Sequence, residues 1–220
     1  MLKNIIIVGD SFCTTPNFWP RLLAKSLDMN LINFGLAGGS WWSVKSFLER
    51  LPPEHIDNCE IIVFVHTNAQ RIPTTAEEIN QVNFSNLESN NELNRAIGLY
   101  YKYIHNEMFL SWAQLKWFEE INQQWNNIKV VHLFSFPQNQ KYVLNGMKVS
   151  PSLAAISLDE IASKDSSLIN DKRPNHLSRN NNNQLAQQLF QLIGNYQVGE
   201  VNLDISKFNL LSNQWIQKWN

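Results

Sequence analysis

The chain has 220 residues, with 18 Lys and Arg against 19 Asp and Glu, and its net charge of −1 is interspersed without a basic stripe, so nucleic acid is not an expected partner. That length suits one domain with a sizeable core, and its two cysteines, Cys13 and Cys59, form no Cys-x-x-Cys pair, which argues against a disulfide framework or a zinc site and reads both as small buried hydrophobes. No apolar run has the length of a bilayer span, so no membrane partner is expected, and the N-terminal stretch is too short and lacks the cleavage pattern of a signal peptide.

In chain order, the first expected element is a buried strand, Ile5-Ile6-Ile7-Val8. A helix follows over Phe18 to Leu27, with Trp19, Leu22, Leu23 and Leu27 on its apolar face, then a strand over Leu31 to Phe34. The next helix runs from about Ser43 to Leu51 and is stopped by Pro52-Pro53, before a third strand at Ile61 to Val65. Alternation of this kind predicts an α/β fold: a three-layer α/β/α sandwich around a central parallel sheet, flavodoxin-like in type.

Beyond Ile72-Pro73 a polar stretch, about 73–91, reads as an insertion. Apolar residues then recur at spacings of three and four from Leu93 to Ile121, which predicts one long amphipathic helix or two in tandem. The aromatic stripe across 93–125 is expected to be core or a partner interface. Val130 to Phe134 is the fourth strand, and the irregular, Ser-rich region 138–172 reads as a lid or binding loop. A helix near Gln184 to Ile193 has Ser178 as its N-cap, and the run Asn180 to Asn183 is assigned no activity. The domain is expected to occupy 1–199. Residues 200–220, with Val201, Leu203, Phe208, Leu211, Trp215 and Trp219, are too apolar for a free tail and pack on the domain or on a partner.

Chemistry-bearing residues follow the strands. Gly9-Asp10-Ser11 delivers a hydroxyl at the end of the first strand, where open α/β sheets place ligands. Asn33 to Ser40 follows the second strand, and the backbone N–H of Gly38 can face a ligand with no Cβ in the way. His66-Thr67-Asn68 follows the third, placing a carboxamide donor. Arg173-Pro174-Asn175-His176-Leu177-Ser178 holds an imidazole just before the last helix. Each segment alone is also an ordinary turn. Trp41 and Trp42 could border the pocket as a flat apolar platform for a sugar ring or acyl chain, or serve in packing and capping.

These segments, in this order, resemble the SGNH, or GDSL-type, hydrolase family of three-layer α/β/α esterases and lipases. The resemblance runs from Ile5 to about Ile193. It implies Ser11 as nucleophile and His176 as base, with Ser11 N–H, Gly38 N–H and Asn68 as the oxyanion hole. Two departures stand out. His66 and Ala69 flank the third segment where the family has Gly-x-Asn-Asp, and Arg173 stands where its Asp-x-x-His would put an aspartate. Asp171, two residues upstream, or a backbone carbonyl is then the orienter of the imidazole.

The expected function is hydrolysis of a carboxylic ester, on a small molecule or a carbohydrate, with neither metal nor organic cofactor. The alternative is a catalytically weak or inactive structural or carbohydrate-binding component of a larger assembly such as a phage virion. The expected location is cytoplasmic or virion-associated. A protein partner or a second copy would dock through the C-terminal tail or the aromatic helix 93–125.

Overall fold

The computed structural model of the chain describes residues 2–14, 18–71, 92–138, 142–157 and 176–210. Six strands, β1 (Asn4–Gly9), β2 (Asn30–Gly35), β3 (Cys59–His66), β4 (Lys129–Phe134), β5 (Met147–Ser150) and β6 (Gly199–Asn202), form one parallel sheet in the order β2-β1-β3-β4-β5-β6. All six residues of β1 are buried, as expected for a β-branched run covered on both faces. Its Ile7 pairs with Asn33 on one side and Val63 on the other. The strand order reverses between β1 and β3, and the crevice beyond their carboxyl ends is where doubly wound sheets take their ligands.

Helices cover both faces. On one, Ile5, Ile7, Val63 and Leu133 pack under Trp19 and Leu23 of α1 (Trp19–Ser26) and Leu185 and Leu189 of α6 (Arg179–Gly194). On the other, Ile6, Val8, Ile62 and Phe64 pack under Val44 and Leu48 of α2 (Trp41–Leu48) and Trp117, Phe118 and Ile121 of α5 (Glu107–Gln124). The molecule is therefore a three-layer α/β/α sandwich, as expected.

The details refine the expectation. The second helix begins at Trp41, two residues early, and a short helix α3 (Pro53–Asp57) starts on the proline that ends the chain's turn. The long apolar pattern is two helices in tandem, α4 (Glu92–Tyr103) and α5, and Asn106 caps the second by accepting from Phe109 N at 2.9 Å. Within the region 138–172 lie β5 and a 3-10 helix, Leu153–Ile156. Strand β6 crosses the 199/200 boundary, and Leu203 and Phe208 are buried in the α1/α6 side of the core. Residues 73–91, 158–172 and 211–220, with Asp171, Leu211, Trp215 and Trp219, lie outside the described residues. Cys13 and Cys59 are free and buried. Among the described residues, no helix is long and apolar enough to cross a membrane.

Candidate active site

Four loops at the carboxyl end of the sheet carry the residues in question, and named contacts tie them together. After β1, the Asp10 side chain caps the 3-10 helix Ser11–Cys13, its Oδ1 accepting from Phe12 N at 3.1 Å. This turn is pinned to β2, because Asn33 Nδ2 donates to the Cys13 carbonyl at 2.8 Å. Gly35 lies so near that a Cβ there would stand 2.4 Å from the Cys13 carbonyl carbon, so only glycine lets the turn close. Ser11 itself is half-buried at the crevice.

After β2, Leu36 to Gly39 form a turn closed by Gly39 N on the Leu36 carbonyl at 2.8 Å. Gly38 is its third residue and has φ +69°, the conformation that a type II turn requires there. After β3, the Asn68 Oδ1 accepts from Gln70 N at 2.8 Å. That bond orients the carboxamide and leaves its Nδ2 as the end able to donate to a ligand. Asn68 is exposed.

Arg71 links these loops, and the sequence reading missed it. Its Nη1 lies 3.2 Å from the buried Oδ2 of Asp10 and donates to the Gly39 carbonyl at 3.2 Å. The contact to Asp10 is ionic rather than directional, since that oxygen has no aligned hydrogen bond among the described residues. The guanidinium also sits 5.4 Å from the centroid of Phe136, after β4. A carboxylate at the end of a buried strand needs a counter-charge, and that was the available signal. The partner, however, lies 61 positions along the chain, too far for any local pattern.

The fourth loop brings His176. Its imidazole stacks on Phe12, with ring centroids 4.9 Å apart and planes at 16°, and Phe12 in turn meets Phe136 edge-on. Ser178 caps α6, accepting from Asn181 N at 3.1 Å. The asparagines assigned no activity are the pegs of this loop. Buried Asn182 donates to the Leu177 and Ser178 carbonyls and accepts from Trp19 N, joining the His176 loop to the start of α1. Buried Asn181 bonds to Ile156 and Asn209.

Trp41 is half-buried with its Nε1 inside, and it meets the more exposed Trp42 edge-on at 5.9 Å. Beneath the site, His66 and His132 form a buried pair, Nε2 to Nδ1 at 2.9 Å, and His132 Nε2 donates to the Asn145 carbonyl at 2.9 Å. Among the described residues no three His, Cys, Asp or Glu side chains are grouped to hold a metal ion.

No protein-family model and no curated protein matches the chain. Among solved structures, the chain is similar to a protein of the G-D-S-L family from Desulfitobacterium hafniense DCB-2 described as lipolytic, at 13% identity and a TM-score of 0.47, over 86% of this chain and 99% of that one. It is also similar to an acetyl xylan esterase, AlAXEase, at 13% identity and a TM-score of 0.37, over 93% of this chain and 79% of that one.

Proposed function

We propose that the chain is a serine esterase of the SGNH, or GDSL, type, hydrolysing a carboxylic ester such as an acetyl or acyl group on a carbohydrate. The observation that carries this reading is the stack of His176 on Phe12, which sets a base against the residue next to Ser11. In the proposed reaction His176 takes the Ser11 hydroxyl proton as Oγ attacks the ester carbonyl carbon. The Ser11 and Gly38 N–H groups and Asn68 Nδ2 donate to the oxyanion. The alcohol leaves with the proton from His176, and a water deprotonated by the same imidazole then releases the acid and restores Ser11. Asp171 or a backbone carbonyl orients the imidazole.

The test is hydrolysis of short-chain esters together with labelling by an organophosphonate. Ser11→Ala is expected to keep the fold and lose both. Turnover that survives in Ser11→Ala rules out this nucleophile. A second reading, an inactive SGNH-fold structural or carbohydrate-binding component of an assembly, draws on Arg173 standing where the family has aspartate. It gains if the unaltered protein neither turns over nor labels.

A further inference from the structure

A cleft of about 580 Å³ opens beside Asn68, between the turn after β3 and the first turns of α5. Its wall joins Asn68 and Gln70 to Glu107, Ser111 and Trp112 of α5, and to Gln138 after β4. We propose that this cleft is a subsite for a neutral sugar ring, the alcohol side of the ester. The proposal rests on the esterase reading above for its place in a reaction, and on the cleft's own chemistry for the ligand.

Helix α5 turns Leu110, Gln114 and Trp117 inward, which leaves Trp112 on the outer side with 53% of its surface exposed. An indole held at a cleft wall, braced by Phe109 at 6.0 Å and 31°, offers a flat apolar face. A pyranose has a matching face of C–H groups and a rim of hydroxyls that need polar partners. The rim has them here. Gln70 lies 3.3 Å from Ser111 Oγ by its Nε2, while its Oε1 is buried without a hydrogen-bond partner among the described residues.

The groups open to the cleft are the exposed Asn68, with Ser111 and Gln138, two carboxamides and a hydroxyl that both donate and accept. An acyl chain would cover these groups without bonding them, which is unfavourable. Among the described residues of the wall, Glu107 is the only charged one. It accepts from a hydroxyl and repels a carboxylate or phosphate, so the ring is neutral. Because Asn68 belongs both to this wall and to the proposed oxyanion hole, a ring in the cleft would lie next to the scissile bond.

The test compares kcat/KM for glucose pentaacetate with that for ethyl acetate, whose alcohol carries no ring. Trp112→Ala is expected to lower the ratio of the two at least tenfold, and Trp112→Phe to restore most of it. An unchanged ratio overturns the proposal. A second measurement is independent of catalysis: saturation-transfer NMR of methyl β-glucoside with the Ser11→Ala protein, and again with Trp112→Ala added. Signals lost with Trp112 support the subsite even if no ester is hydrolysed, which would sink only the esterase reading. Ester hydrolysis with no such signals sinks the subsite and leaves the esterase standing. Circular dichroism of each variant guards against misfolding.

Discussion

Asp10 and Arg71 meet at 3.2 Å at one place on the sheet's carboxyl end, and His66 and His132 meet at 2.9 Å at another. Both pairs bury polar atoms, yet the first is an ion pair and the second is neutral. The surroundings explain why. Arg71 stands at the crevice wall, where one guanidinium can answer a buried carboxylate and also hold a carbonyl from the next loop. The histidines lie among Phe64, Phe118 and Phe134, with no ion-pair partner among the described residues. Burial, and then the neighbouring His132, holds His66 well below the ordinary imidazole value. Burial likewise pushes His132 down to about 4, against a smaller raising effect of the Asn145 carbonyl. That carbonyl accepts from His132 Nε2–H, so Nδ1 is the acceptor and His66 Nε2–H the donor, a relay that needs His132 neutral. Charge is thus kept where loops must be fastened to each other, and shed where strands are packed.

The largest expected effect breaks the charged pair. Arg71→Met strands Asp10 in the interior and should destabilise the fold by about 3–5 kcal/mol in urea unfolding. Adding Asp10→Asn should recover much of that loss, and a single-variant loss below about 1 kcal/mol would show that the pair is not a fastening.

Acid should break the neutral pair next. A folded value below the unfolded one means that the unfolded chain takes up the proton first as pH falls below 6.5. Stability should therefore be unaffected by these groups above that pH and fall by about 3 kcal/mol toward pH 4 for His132, with His66 acting in the same direction. His132→Phe should flatten the slope; an unchanged slope would mean that other groups set the acid limit.

The smallest effect concerns an uncharged fastening, the cap under His176. Ser178→Ala should lower stability by about 1 kcal/mol. If the loop beside it carries the base, kcat should fall more than KM rises.

The central strands were legible because β1, β3 and β4 are runs of large apolar residues buried on both faces. The hidden ones are at or near an edge. In β5 only Met147 and Val149 are buried, and β6 is Gly-Glu-Val-Asn with none. Four residues with one covered side leave too little periodicity to stand out from a loop. The five-residue α3 buries nothing and was masked by its prolines. Ser11, Gly38, Asn68 and His176 could be singled out as candidates because each follows a strand or precedes a helix. Arg71 and Asn182 act across the fold, and only the packed structure brings Arg71 to Asp10 or Asn182 to Trp19.

The bond from Trp19 N to Asn182 spans 163 positions of chain, and it belongs to the contact between α1 and α6 on one face of the sheet. By that span, this face is expected to close late in folding. The β1–β2 pairing and the turns bearing Ser11 and Gly38 draw on nearby residues, while the His176 loop must wait for a large entropic loop to shut. A newly made chain would thus hold Ser11 and the Gly38 turn in place well before His176 reaches them. Between those moments a half-folded molecule holds the Ser11 hydroxyl without the imidazole that stacks on Phe12 beside it.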